Sequence, residues 1–94
     1  MKLAYFHASW CGVCHQKAPV AARIAADAGL PLERWDIDDD AGRAEAEARR
    51  IRQVPTLALL HGARVPFRLV GAMITPENVA RMMDAVASRP PDAR

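Results

Sequence analysis

Both cysteines of this 94-residue chain fall in one short stretch, Trp10-Cys11-Gly12-Val13-Cys14-His15. Three chemistries use such a string. Two thiols separated by two residues can cycle between dithiol and disulfide. Followed by histidine, they can carry a c-type haem on two thioethers with an axial imidazole. Two sulfurs and a nitrogen can also make up most of a zinc site. The remainder of the chain has to discriminate among them.

The stretch sits between two different patterns. Residues 2–7 form a short apolar and aromatic run that reads as a buried strand. Ala8-Ser9-Trp10 is a loop. From Gly12 to about Ala28 the chain is rich in alanine, with Val20 and Ile24 one turn apart, which predicts a helix. Pro19 inside it removes one backbone hydrogen bond and is expected to kink the axis, and Gly29 and Pro31 end it. Leu32–Ile37 reads as a second strand, and Ala41 to about Arg52 as a charged helix with Glu45 and Arg49 four apart. Asp38-Asp39-Asp40 ahead of that helix could suggest a metal. Acids at a helix start more simply cap orphan amides and complement the dipole.

Thr56–Leu60 and Val65–Val70 flank His61-Gly62-Ala63-Arg64 and predict a hairpin. Pro66 cannot donate to a ladder, which puts its strand at a sheet edge. Thr75-Pro76-Glu77 is a helix start, followed by Val79, Met82, Met83 and Val86 at core spacing. Arg89 to Arg94 reads as a disordered tail. The predicted order is β-α-β-α-β-β-α over residues 1–88, one α/β domain on a mixed four-stranded sheet.

Composition narrows the function classes. Half the residues are apolar, and thirteen Lys and Arg are scattered among eleven acids for a net charge of +2. No basic face appears for nucleic acid or an anionic membrane. No stretch approaches the roughly 18 apolar residues of a membrane span. The start, Met1 to His7, lacks a signal-type apolar region and cleavage site. A cytoplasmic location is therefore expected, where close cysteine pairs are catalytic or metal-binding more often than structural.

Four separated features resemble the thioredoxin family: Trp10-Cys11-Gly12-Val13-Cys14 at a strand-to-helix junction, Pro19 five residues beyond, Val54-Pro55-Thr56 ahead of a strand, and Val70-Gly71-Ala72 before the last helix. The resemblance covers about residues 2 to 88 and implies a three-layer α/β/α thioredoxin-like fold. It implies Cys11 as nucleophile, Cys14 as resolving thiol and Pro55 as a cis-proline beside the site. Trp10, Gly12, Val13, Val54, Gly71 and Ala72 would form the rim touched by partner proteins. Three features depart from the family pattern. The N-terminal strand and helix are missing, leaving the minimal core shared with glutaredoxins and one more exposed sheet edge. Tyr5 stands where the family commonly buries an aspartate, which reopens the question of the second cysteine's proton acceptor. Val13 replaces the commoner proline, which bears on the reduction potential.

The thiolate, not the thiol, attacks a disulfide. A helix start favours that anion through unpaired amides and the positive dipole end. His15 could assist from four residues along or be a plain surface residue; His7 and His61 receive no role. Haem attachment fits poorly with four strand signals, and a zinc site lacks a second ligand pair. The expectation is a monomeric, cofactor-free reductase of protein disulfides, supplied with electrons by a donor such as thioredoxin reductase. A glutathione-dependent, glutaredoxin-like enzyme and a thioredoxin-fold interaction module with secondary redox activity are the alternatives.

Overall fold

Alternation along β1 (Lys2–His7) sorts the core into two halves. Leu3 and Tyr5 point to one face of the sheet and Ala4 and Phe6 to the other, and all four are buried. The computed structural model describes residues 1–88, so the tail expected at 89–94 lies outside the described residues. After β1 come α1 (Gly12–Ala28), β2 (Leu32–Asp36), α2 (Asp40–Ala48), β3 (Thr56–His61), β4 (Arg64–Val70), a 3₁₀ turn (Gly71–Met73) and α3 (Pro76–Ala87).

The sheet runs in the order β2-β1-β3-β4. β1 pairs with β2 in parallel, Tyr5 opposite Arg34 and His7 opposite Asp36. It pairs with β3 antiparallel, as β3 does with β4. Because β4 is an edge strand, Pro66 sits where a missing ladder donor is tolerated. β2 is the other edge and carries charge, Lys2 Nζ reaching Glu33 Oε2 at 2.7 Å.

One face of the sheet packs Leu3, Tyr5, Leu57 and Leu59 against Ala21 and Ile24 of α1 and Val79 of α3. The other packs Ala4, Phe6, Ala58 and Leu60 under Ala46 of α2 and Ile51. The result is the expected three-layer α/β/α sandwich. Met82, Met83 and Val86 pack along α3 as their spacing predicts. Thr75 caps that helix by accepting from the Asn78 amide at 3.1 Å. Helix α1 continues through Pro19, which is exposed, so the His15 carbonyl that loses its intrahelical donor lies toward solvent.

Two details of α2 differ from the sequence reading. It ends at Ala48, four residues before Arg52. The Ile51 amide donates to Ala46 at 2.8 Å and the Arg50 amide to Glu47 at 3.1 Å. These two bonds form a Schellman closure, with Arg50 in the left-handed position at φ 59. α1 closes in the same way on Gly29, at φ 68, with Leu30 donating to Ala25 and Gly29 to Ala26. A glycine announces such a stop, whereas an arginine conceals it. The aspartates before α2 also act differently from expected. Asp39 holds the cap position but its side chain makes no cap bond. Asp36 Oδ1 instead accepts from the Asp38 amide at 2.9 Å, shaping the turn.

Helix α2 approaches the sheet closely because it presents only Gly42 and Ala46 to it. A Cβ at Gly42 would overlap the Asp36 backbone carbonyl. Alanine normally improves a helix interior by about 1 kcal/mol over glycine. Here Gly42→Ala should instead destabilise by about 1–3 kcal/mol, because the obstruction is backbone and α2 must lift. Urea unfolding measures it, and an unchanged or raised midpoint would contradict this packing.

Candidate functional site

The site begins where β1 runs out and α1 starts. The Cys11 amide donates to the Ala8 carbonyl at 3.2 Å, folding Ala8-Ser9-Trp10 into a turn. Cys11 is the N-cap residue of α1, with extended backbone at φ −98 and ψ 106. Caps are usually oxygen side chains that accept from an orphan amide. Here sulfur does so: the Cys14 amide donates to Cys11 Sγ at 3.1 Å. The two cysteines, Cα atoms 5.2 Å apart, are closed as a disulfide. Cys11 is the outer of the two, 9% exposed against 2% for Cys14.

A second loop meets this turn from the far side of the sheet. The Val54–Pro55 peptide is cis, and the Val54 carbonyl oxygen lies 4.0 Å from Cys11 Sγ. Thr56 Oγ1 donates to the Gln53 carbonyl at 2.6 Å, fixing the bend just before β3. The Gly71 amide donates to the Pro55 carbonyl at 3.0 Å. Gly71 itself turns the chain out of β4 with φ +57, a conformation side chains disfavour. Cys11, Val54, Pro55 and Gly71, from three separate parts of the chain, are thus brought together. Ala8, Ile37 and Val54 pack around the sulfurs.

Around that centre the surface is apolar. Trp10 is 68% exposed, Val13 45% and Met73 55%, and Gly12 and Ala72 are open to solvent beside them. Trp10 Nε1 points toward Asp38 Oδ1 at a long 3.5 Å. Large apolar side chains left exposed around one point mark a contact surface. Met73 and Ile37 were not among the residues singled out by sequence. The signal for Met73 was its place next to Gly71-Ala72; for Ile37 it was an apolar residue directly after a strand.

Beneath the sulfurs lies the most unusual part of the site. The Tyr5 hydroxyl donates to the Cys14 carbonyl at 2.6 Å, pinning the first turn of α1 onto β1. Burial pushes the Tyr5 phenol above its ordinary value, and the Arg34 charge only partly offsets this. His7 stacks on Tyr5, with ring centroids 5.8 Å apart and planes 19° from parallel. Tyr5, His7, Cys14, His15 and Arg34, with Ala8 and Ala18, line a cavity of about 210 Å³. His15 does not turn to Cys11; its Nε2 lies 2.8 Å from the Ser9 carbonyl, closing the turn. His61 is in the β3–β4 hairpin, away from the site.

A single turn therefore holds a sulfur pair, one member outward and amide-bonded, beside a cis peptide and an apolar rim. This can do thiol–disulfide exchange. Among the described residues no cluster of three or more His, Cys, Asp or Glu side chains is placed to hold a metal, and no helix is long and apolar enough to cross a membrane.

Comparison with known proteins points the same way. A family model described as thioredoxin matches residues 1–85. A thioredoxin of Mycolicibacterium smegmatis is 35% identical over 86 residues, covering 89% of this chain and 77% of that one. A bifunctional thioredoxin reductase/thioredoxin of Mycobacterium leprae is 34% identical over 70 residues, covering 74% of this chain and 15% of that longer one. Among solved structures, thioredoxin 1 of Thermosipho africanus superposes with a TM-score of 0.77 at 21% identity, over 93% of this chain and 94% of that one.

Tyr5 offers a direct check on this geometry, since it is the only tyrosine in the chain. Its folded value is raised above the unfolded value of about 10. Its contribution to stability is thus complete below about pH 10 and is lost as pH rises through the folded value. Absorbance at 295 nm should show ionisation later than in the unfolded chain. Tyr5→Phe should cost about 0.5–1.5 kcal/mol at neutral pH by removing the bond to Cys14. A phenol titrating as in water would contradict the buried hydroxyl.

Proposed function

The chain belongs to the thioredoxin family of protein disulfide oxidoreductases, with Cys11 and Cys14 as its redox pair, and on that footing we propose that it reduces protein disulfides with Cys11 as nucleophile and Cys14 as resolving thiol. One observation carries the assignment: Cys11 Sγ occupies the cap of α1 and takes the Cys14 amide at 3.1 Å, whereas Cys14 is buried one turn behind. In the reduced protein that amide and the helix dipole stabilise a Cys11 thiolate. The thiolate attacks a substrate disulfide, forming the mixed disulfide and expelling one substrate thiolate. Cys14, once deprotonated, attacks Cys11 Sγ; the Cys11–Cys14 bond forms and the second substrate sulfur leaves with the electron pair.

The surrounding residues have supporting roles in this reading. Val54, whose carbonyl lies beside Cys11, offers a backbone against which a substrate strand can lie. Pro55 keeps a group without acidic hydrogen or metal affinity beside the sulfur. Trp10, Gly12, Val13, Gly71 and Ala72, joined by Met73, form the apolar rim for the partner. The working unit is a cofactor-free monomer of residues 1–88 in the cytoplasm. In that compartment thiols are held reduced, which favours a dithiol pair that works as a reductant. Thioredoxin reductase is the electron donor we propose, supported by the Mycobacterium leprae relative whose name joins the two activities in one chain.

Cys11→Ser should abolish insulin-disulfide reduction, and Cys14→Ser should accumulate mixed disulfides with substrate; equal residual activity in both would overturn the roles. Alkylation of the reduced protein should show Cys11 reacting with a midpoint below the free thiol's value of about 8.5. Driving insulin reduction in parallel with NADPH plus thioredoxin reductase and with glutathione should give turnover in the first arm. Turnover in the glutathione arm alone would make the chain glutaredoxin-like.

A further inference from the structure

Resolution requires Cys14 to lose a proton before it can attack, and the thiol is only 2% exposed. Tyr5 is the polar side chain bonded to Cys14, through the backbone carbonyl. It is unsuited as a base because its hydroxyl already spends its proton on that carbonyl, and burial makes the proton harder to remove. Among the described residues no carboxylate lines the cavity, which offers Tyr5, His7, Cys14, His15 and Arg34 as its polar members. Among these side-chain types, imidazole is the one suited by its chemistry to serve as a general base near neutral pH. His15 is exposed and has its Nε2 directed at the Ser9 carbonyl. His7 is half-buried, and its ring is oriented by stacking on Tyr5.

We propose that His7 accepts the Cys14 proton through water in the cavity of about 210 Å³ that both residues line, as the general base of the resolving step. This rests on the roles assigned above to Cys11 and Cys14. At about 30 Å³ per molecule the cavity has room for several waters, and transfer through water suffices for general-base catalysis. The Cys14 S–H bond breaks, the proton passes to the neutral His7 imidazole, and the thiolate attacks Cys11 Sγ. The sulfur–sulfur bond to Cys11 forms as the bond to substrate breaks. The departing substrate thiolate takes up a proton, and His7 returns its own to solvent.

From β2, the Arg34 guanidinium lines the same cavity. Asp36, opposite His7 across the β1–β2 ladder, has Oδ1 engaged by the Asp38 amide. From α1 the facing groups are Cys14 and His15, and from β1 itself Tyr5.

The test mixes the reduced protein with excess 5,5′-dithiobis(2-nitrobenzoate) and follows release of the coloured thiol. The first equivalent, from attack by Cys11, depends on reagent concentration. The second, from attack by Cys14 on the mixed disulfide, does not. His7→Gln should leave the first phase unchanged and slow the second at least about tenfold at pH 7. The two proteins should converge as pH rises through the ordinary thiol range near 8.5. His7→Asp, which supplies a different acceptor, should recover rate and carry it to lower pH. In the unaltered protein the second phase should gain rate below that thiol range. A second phase unaffected by His7→Gln, slowed equally by both substitutions, or following thiol ionisation alone in the unaltered protein would overturn the proposal. A wild-type protein releasing only one equivalent would instead overturn the roles of Cys11 and Cys14.

Discussion

A single contact organises the molecule: an amide of the first turn of α1 meets the sulfur that caps it, Cys14 N to Cys11 Sγ at 3.1 Å. The first turn of any helix carries amides without intrahelical partners, and a cap normally answers them with oxygen. Using sulfur there places a polarisable atom in the field of the dipole, whose positive end stabilises negative charge. It also requires the turn to be held firmly, because a frayed first turn would lose the amide that stabilises the charge. The turn is fastened at three points, by Cys11 to Ala8, His15 to Ser9 and Tyr5 to Cys14. None of the three uses the sulfurs, which stay available for exchange.

The same constraint explains why the far side of the site is built from backbone rather than from polar side chains. A lysine or histidine beside Cys11 would compete for its sulfur, and a carboxylate would repel the thiolate. The structure instead brings the Val54 carbonyl to 4.0 Å and sets the ring of Pro55 behind it. Gly71 fastens that segment to the end of β4 through the Pro55 carbonyl. The sheet positions both halves: the turn leaves the end of β1, and the Val54-Pro55 segment enters β3, the strand paired with β1. Both halves of the site are therefore anchored on the central strand pair, in which Leu3, Ala4, Tyr5 and Phe6 face Leu57, Ala58, Leu59 and Leu60, all buried.

Much of this could be read from residue order because the relevant signals are local. Trp10 to Cys14 at a strand-to-helix junction, the Thr75-Pro76 start of α3 and the edge position forced by Pro66 are each set by a few neighbouring residues, and each is found where expected. What escaped depended on backbone geometry or on contacts between distant segments. Arg50 ends α2 in a conformation that glycine usually marks. Asp39 caps in position but not through its side chain, because the turn is shaped earlier by Asp36 and Asp38. Met73 joins the rim through the turn that follows Gly71, and its exposure is a property of that turn rather than of the residue. His7 joined the site only once β1 alternation put it on the face of Tyr5, beside a cavity that no linear pattern reveals.

Tyr5 shows how one residue type can reassign work among its neighbours. A short carboxylate at that position would be a buried charge, costly to desolvate and useful only because it can take a proton. A phenol fills the same direction with an aromatic ring, contributes to the core beside Leu3 and Leu57, and satisfies its own polar atom on the Cys14 carbonyl. Tyr5 thus favours packing and helix anchoring, and a buried phenol that donates to a carbonyl is no proton acceptor near neutral pH. Because β1 alternates, the next residue on that face is His7, at the strand end where the core gives way to the cavity. Packing and proton transfer, which a single carboxylate would have to combine, are thereby divided between two side chains two residues apart.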